Sequence, residues 1–189
     1  MKKILFMLLI VAFVCTASTV FAAQKAPLGS GNLAVKLDWI KFTDSDLKDV
    51  DVDSGFYIGL EGYGEISPNW YLGMEAGWTN PTGYIGHVDT DWTYIPIELN
   101  IKYAAAVAES VVFDIGAGAS YNYGKFKMAG DDLNDWMFGG QAFMDLNFTF
   151  DQFFIGISGK YQFSQKFDKE GLEFSPNNWR LGGQIGVLF

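Results

Sequence analysis

Residues 179–189 alternate between large apolar side chains and small or polar ones. The apolar members fall almost without exception on every second position, and they are Trp179, Leu181, Ile185, Val187 and Phe189. Alternation over about ten residues indicates a β-strand with one apolar face and one polar or crowded face. This pattern constrains the fold, because it decides which solvent each face of the strand meets.

Seven further segments repeat the period of two, and they are residues 33–42, 55–66, 70–78, 93–103, 111–122, 138–148 and 153–163. Short connections at 67–69, 104–110 and 151–152 alternate with longer, mostly polar ones at 43–54, 79–91, 124–135 and 164–177. An even strand count with alternating connection lengths is typical of a membrane barrel. The sequence therefore predicts an all-β fold, an eight-stranded antiparallel up-and-down transmembrane β-barrel, with short periplasmic turns and long extracellular loops.

The main alternative is a soluble barrel of the lipocalin kind, which has an apolar interior and a polar exterior. In this chain the polar face of the segments contains many glycines and tyrosines, whereas the apolar face is bulkier and is flanked by tryptophans. A face that meets water needs more polar side chains than this. The pattern favours a membrane barrel whose apolar face meets lipid.

The first 22 residues have the pattern of a secretory signal peptide. Lys2 and Lys3 precede an apolar run over residues 4–14, and small residues follow at the cleavage position. The run is too short to cross a bilayer comfortably. We expect cleavage after Ala22 or Ala23, which leaves residues 23–189 as one outer-membrane β-barrel domain in the outer membrane of a Gram-negative bacterium.

The mature chain is expected to be acidic and free of cysteine. The only cysteine, Cys15, lies in the expected signal peptide, so no disulfide and no thiolate metal site is predicted. Loss of Lys2 and Lys3 leaves 11 basic residues against 22 acidic ones, a net charge of −11. Nucleic acids are polyanions, so we expect no nucleic-acid partner.

Aromatic side chains gather at the ends of the segments, as expected of two belts at the membrane interfaces. Those at the long-loop ends are Trp39, Trp78, Trp92, Trp136 and Trp179, and those at the short-turn ends are Trp70, Tyr103, Phe148, Phe153 and Phe189. Trp92 is out of phase with its segment, so we expect it above the membrane or in a loop. Pro96 lies inside a segment, where it removes a ladder donor and predicts a bulge or a locally broken ladder.

Ten charged residues fall on the polar face, which faces the barrel lumen in this arrangement. They are Lys36, Asp38, Glu61, Glu75, Glu98, Lys102, Asp114, Asp145, Lys160 and Arg180. Eight strands enclose a lumen just wide enough to be filled by side chains. Isolated buried charges are costly, so we expect them to pair across the lumen and to bond to Tyr, Asn and Gln. A plug is favoured over an ion or proton path.

Neither catalytic nor metal-binding residues are predicted. His87, the single histidine, lies near Asp89 and Asp91, and such a pair could serve general-base hydrolysis. The rest of such a site is missing, so an exposed loop histidine is the favoured interpretation.

The first long loop is rich in aspartate, at positions Asp44, Asp46, Asp49, Asp51 and Asp53. The last three have calcium-loop spacing, but the glycine comes one place late and position twelve would be Leu60 instead of glutamate. An EF-hand is therefore excluded. Bridging of lipopolysaccharide phosphates by divalent cations stays open, and an acidic solvated loop is the default.

The leader, the eight segments, Tyr94-Ile95-Pro96-Ile97 leading to Asn100-Ile101-Lys102-Tyr103, the Gly116-Ala117-Gly118 stretch and the final Phe189 together resemble the outer-membrane β-barrel domain family. This family holds the opacity-type and OmpX- and OmpA-like small barrels. The resemblance implies that Phe189 is a signal for the barrel assembly machinery. It implies roles in adhesion, host interaction, envelope stability or narrow-pore permeation, and it carries over no catalytic residue and no cofactor.

We expect a monomer that contacts outer-membrane lipid and lipopolysaccharide and presents acidic loops to an extracellular ligand or host surface. The first functional hypothesis is therefore a structural or surface-interaction protein. A narrow porin-like channel for small solutes is the alternative, and a lipid-modifying envelope enzyme is a second one. Fold by itself does not choose among them.

Overall fold

The computed structural model describes residues 26–85, 88–128 and 131–189. The expected signal peptide and His87 lie outside these ranges. The strands are β1 (Gly31–Phe42), β2 (Ser54–Ser67), β3 (Trp70–Thr79), β4 (Thr82–Ile85), β5 (Val88–Ala108), β6 (Val111–Met128), β7 (Asp131–Phe150), β8 (Phe153–Ser164), β9 (Phe167–Lys169), β10 (Leu172–Phe174) and β11 (Asn178–Leu188). One short helix, α1 (Ser45–Asp49), follows β1. No helix in the described ranges is long and apolar enough to cross a membrane.

Eight of the strands form a closed antiparallel barrel, which confirms the predicted fold. The strand order is β3-β2-β1-β11-β8-β7-β6-β5, and pairing between β3 and β5 closes the circle. Seven neighbouring pairs follow each other along the chain, while the seam between β1 and β11 joins its two ends, from Asn32 opposite Leu188 to Phe42 opposite Asn178. The seam is therefore the one barrel contact that needs the whole chain.

The barrel is apolar outside and polar inside. Outward side chains such as Leu37, Phe56 and Ile185 are 59 %, 68 % and 61 % exposed, whereas charged residues on the opposite face of the same strands are buried. In water such a surface would be a large exposed apolar patch, whereas a barrel surface that faces lipid has to be apolar. This distribution is inconsistent with a lipocalin-like barrel.

Three strands extend further than the apolar pattern predicted. Residues 88–92, 123–128 and 131–137 belong to β5, β6 and β7, although the sequence placed them wholly or partly in loops. Beyond the outward pair of Tyr123 and Trp136 the outward positions are polar, as in Lys125 opposite Asn134, so the apolar alternation stops while backbone pairing continues. With β4 paired to the start of β5, the extensions form a sheet that continues past the end of β3.

Pro96 interrupts one ladder and leaves the other intact. On the β3 side, pairing passes from Ile97 opposite Ala76 to Tyr94 opposite Thr79, with no pair at Pro96. On the β6 side, Pro96 lies in register opposite Asn122. The register is the same before and after the gap, so the break is confirmed and no bulge forms at this position.

Candidate functional site

The structure places all ten predicted lumen charges inside the barrel, where each is at most 5 % exposed. Four are basic and six are acidic, so carboxylates outnumber cations by two. Alternation along each strand accounts for their common direction, because successive side chains point to opposite faces of a sheet. The lumen is therefore a buried ionic cluster instead of a collection of separate pairs.

Like charges lie side by side along the barrel wall. Glu61 on β2 is directly opposite Glu75 on β3, and Glu75 is directly opposite Glu98 on β5. Asp114 on β6 is likewise opposite Asp145 on β7. Like charges in direct cross-strand register are destabilising by themselves. We refer to Glu61, Glu75 and Glu98 as the carboxylate row.

The neutralising cations come from the other side of the lumen. Lys160 on β8 and Arg180 on β11 are themselves cross-strand neighbours. The Lys160 ammonium lies 2.5 Å from Glu75 Oε2 and 2.5 Å from Glu98 Oε2. Arg180 donates to Glu75 Oε1 at 3.1 Å and, through its other terminal nitrogen, to Glu98 Oε1. We refer to Lys160 and Arg180 as the cation pair.

Two further lysines bind three of the four remaining carboxylates. Lys36 Nζ lies 3.3 Å from Glu61 Oε2 and 3.6 Å from Asp145 Oδ1. Lys102 Nζ lies 2.7 Å from Asp114 Oδ2 and 4.0 Å from the centre of the Tyr63 ring, a cation–π contact. Asp38, the tenth charged residue, accepts a hydrogen bond of 2.9 Å from the hydroxyl of Ser158 on β8.

Neutral polar side chains complete this network. Tyr57 donates to Glu75 Oε1 at 2.7 Å, Asn147 donates to Asp114 Oδ1 at 2.8 Å, and Gln141 donates to Asn100 Oδ1 at 2.6 Å. The sequence predicted such partners only by residue type. Their positions share the even spacing of the charged residues, which is the signal that identifies them.

An aromatic cluster closes the long-loop end of the lumen, which is the predicted extracellular end, and we call it the lid. Its centre is Trp92, which is fully buried. The Trp92 ring lies 5.0–6.4 Å, centre to centre, from five others, those of Phe42, Tyr94, Phe126, Phe167 and Phe174. The predicted loop position of Trp92 is wrong, because β5 begins at Val88 and the side chain of Trp92 points inward from this strand. A position above the membrane, the other half of that expectation, stays a prediction.

The long loops fold onto the lid and are tied to each other. Leu47 of α1 is buried in the same cluster as the rings of β9 and β10. Asp44 caps α1 by accepting from the backbone of Asp46, and its second oxygen accepts from the backbone of Ser175 at 2.7 Å. Gly83 of β4 lies so close to the first loop that a Cβ there would be 2.1 Å from Val50 O.

Two aspartates of the acidic first loop have structural roles. Asp44 caps α1, and Asp53 forms an ion pair with Lys41. No group of three or more His, Cys, Asp or Glu side chains is arranged to hold a metal ion within the described ranges. Of the three aspartates with calcium-like spacing, Asp53 therefore has a structural role as the partner of Lys41.

A second apolar cluster closes the short-turn end of the lumen, which is the predicted periplasmic end. Leu28 precedes β1 and is fully buried against residues that include Tyr63, Tyr71 and Phe143. The Tyr71 hydroxyl accepts from Leu28 N at 3.1 Å and donates to Gly29 O at 3.0 Å. We call this cluster the periplasmic plug. No sequence pattern predicted it, because Leu28 lies outside the alternating segments.

Phe189 pairs with Gly31 beside the plug, and its neighbour Leu188 packs against the plug. Its backbone N–H donates to Gly31 O at 2.9 Å, and its carbonyl accepts from Gly31 N at 2.9 Å and from Ser30 Oγ at 2.8 Å. The side chain is 51 % exposed on the lipid-facing side. Its predicted role as an assembly signal stays a prediction, whereas these contacts tie the end of β11 to the start of β1.

The five tryptophans assigned to interfacial belts all lie on the outer face. They are Trp39, Trp70, Trp78, Trp136 and Trp179, and they are 40–48 % exposed. Three contact neighbouring aromatic rings, with Trp39 5.2 Å from Phe56, Trp70 5.3 Å from Tyr103 and Trp136 stacked 4.7 Å from Tyr121. Anchoring at the membrane interfaces stays a prediction for them.

The sequence matches a known domain family over most of its length. The model of the outer membrane protein beta-barrel domain matches residues 7–168, and the chain belongs to this family. It is therefore a β-barrel protein of the Gram-negative outer membrane. No curated protein matches the sequence significantly.

Solved structures with the same fold come from several bacteria. Neisserial surface protein A is similar with a TM-score of 0.69 and 13% identity, covering 85% of this chain and 98% of that one. The N-terminal barrel domain of Pseudomonas aeruginosa OprF gives 0.54 at 13% identity, with coverages of 84% and 97%. Ail of Yersinia pestis, solved with the heparin analogue sucrose octasulfate, gives 0.50 at 15% identity, with coverages of 83% and 99%. At such identities the likeness shows the fold alone.

Proposed function

We propose that this protein is a closed, non-conducting barrel and that its function lies in its extracellular face, as a structural or surface-interaction protein. One observation carries the proposal: side chains occupy the lumen along its length. The ionic cluster fills the middle, and the lid and the periplasmic plug fill the two ends. An ion entering from either side would have to displace a packed apolar cluster, which costs several kcal/mol.

The extracellular loops support an interaction role, because they are packed and acidic. Ties such as Asp44 to Ser175 hold separate loops together, so the surface is preformed and binding requires little ordering. Residues 43–53 contain five aspartates and one lysine. Ail was solved with a polyanionic ligand, but acidic loops would repel such a ligand. We therefore propose a basic partner surface.

Conductance in planar bilayers tests the closed lumen. We expect a flat current trace at all voltages, because both mouths are occupied. Discrete current steps whose size changes in Glu98→Gln would show that ions pass the lumen, and they would favour the channel alternative.

Binding of protein-bearing cells to a polylysine-coated surface tests the acidic face. The side chains of Asp49 and Asp51 are exposed, and in the described part of the chain they make none of the hydrogen bonds or ion pairs that tie the loops together. Asp49→Asn with Asp51→Asn should therefore weaken binding without unfolding the lid. Asp151→Asn is the matched control, since Asp151 lies in the opposite, short turn between β7 and β8. Equal binding by both variants would contradict the proposal.

An enzymatic role has one candidate residue, His87. Unchanged envelope lipid composition in cells that carry His87→Ala is the expected result. A changed lipid composition would favour a lipid-modifying enzyme over the proposed structural or surface-interaction protein.

A further inference from the structure

We infer that the charged lumen is a closure device, in which the cation pair of the last strands allows the carboxylate row of the early strands to be buried, so that the β1–β11 seam and the ionic cluster form together. This goes beyond the closed-barrel function proposed above. It concerns how the chain reaches one closed, eight-stranded state.

The carboxylate row has too few cations until the cation pair arrives. From the early strands Lys36 reaches it, with its ammonium 3.3 Å from Glu61 and 3.9 Å from Glu75. Glu61, Glu75 and Glu98 occupy directly opposed positions on three neighbouring strands, with no cation between them in the row. Two adjacent carboxylates repel each other, and the repulsion grows as water is removed. A sheet of the early strands alone would therefore resist burial of this face.

The cation pair cannot reach the row in an open sheet. Before closure, three strand steps separate β5 from β8 and five separate β3 from β11. At a spacing of about 4.8 Å per step, these gaps are roughly 14 and 24 Å. In the barrel, by contrast, the Lys160 ammonium lies 2.5 Å from carboxylates on both β3 and β5.

Barrel topology makes the cation pair specific for closure. Two strands separate β3 from β11 on one side, and two separate β5 from β8 on the other. Lys160 and Arg180 therefore lie diametrically across from Glu75 and Glu98. Their bonds form only when the sheet has curled by a full turn, which is the geometry that also brings β1 against β11.

A second ion contact crosses the lumen in the same way. Lys36 on β1 reaches Glu61 on the neighbouring strand and Asp145 on β7, at 3.3 and 3.6 Å. Strands β11 and β8 lie between β1 and β7. This short path between β1 and β7 exists only when the seam has closed. Both ends of the chain thus contribute charges that gain partners on closure, and for Lys36 the partner gained is Asp145.

Refolding with two alternative cysteine pairs separates closure from general folding. Val35 and Ile185 are paired across the seam, and Leu60 and Ala76 are paired in the β2–β3 hairpin. All four lie on the lipid-facing side, so cysteines there avoid the lumen. The mature chain with either pair is refolded from urea into phosphatidylcholine vesicles, and disulfide formation on oxidation is measured on gels.

The cation-depleted variant combines Lys160→Met with Arg180→Met, and the balanced variant adds Glu75→Gln and Glu98→Gln. In the cation-depleted variant we expect the hairpin disulfide to form as in the parent, while the seam disulfide falls at least tenfold. The balanced variant should recover the seam disulfide to within twofold of the parent. Lys125→Met with Lys166→Met, which removes two cations outside the lumen, is the matched control and should change neither disulfide.

Three results would overturn the inference. The first is a normal seam disulfide in the cation-depleted variant. The second is an equal loss of both disulfides in that variant, which would show a general failure to insert. The third is a balanced variant that stays as defective as the cation-depleted one, because the defect would then not come from uncompensated carboxylates.

Discussion

Replacing Trp92 with alanine should loosen the lid and leave the barrel wall intact. Removing a buried tryptophan from a packed core costs about 3–5 kcal/mol. The Trp92 indole N–H is buried without a hydrogen-bond partner in the described part of the chain, and losing such a group recovers roughly 1 kcal/mol of desolvation cost. The expected loss in the free energy of unfolding is therefore at the lower end, about 3 kcal/mol.

Two measurements check the Trp92→Ala prediction. Urea unfolding from vesicles, followed by the heat-dependent shift in gel mobility, gives the free energy. Limited proteolysis reports on residues 43–53 and 164–177, which pack on the lid and should be cleaved faster. Tyr84→Ala is the control, because Tyr84 is 66 % exposed on β4. Unchanged stability together with unchanged loop cleavage would refute the idea that the lid is a packed core.

Three further perturbations test other parts of the structure. Leu28→Ala should destabilise the barrel by about 2–5 kcal/mol through the cavity it leaves in the periplasmic plug, as urea unfolding would show. Gly83→Ala should push the first loop off β4, since its Cβ would collide with Val50 O, and proteolysis within residues 43–53 should rise at unchanged barrel stability. The exposed carboxylate of Glu173 raises the pKa of the Lys166 ammonium through a hydrogen bond, so Glu173→Gln should lower that pKa in an NMR titration. Any stability that the Lys166–Glu173 pair contributes is present at neutral pH and is lost as the pH rises past the raised pKa of Lys166. An equal pKa of Lys166 in the two proteins would contradict the assignment.

The lipid-facing wall was predictable because alternation is a local property. Each side chain on a strand faces opposite to its neighbour, so the apolar positions of residues 33–42 or 153–163 identify the outer surface without knowledge of the partner strand. The same argument directed all ten charged residues inward. It could not set the ends of β5, β6 and β7, since outside lipid the outward positions become polar and the alternation loses its apolar signal.

Trp92 and Leu28 show where sequence reasoning stops. Trp92 has the parity of the lumen face, but a tryptophan near a loop is equally typical of an interfacial belt. Leu28 is one apolar residue outside any repeating pattern. Both become core residues because segments distant in sequence cover them. Trp92 is covered by α1, β9 and β10, and Leu28 is covered by Tyr63 and Phe143.

The sequence by itself determined the number of barrel strands, the two faces of the wall and the membrane environment, because the period of two and the solvent that each face requires are visible at each residue. Only the tertiary structure decided which charge meets which across the lumen and whether the two mouths are open. Lys160 and Glu98 are 62 positions apart, and their contact depends on barrel closure and register. These are properties of the whole chain, and no local pattern encodes them.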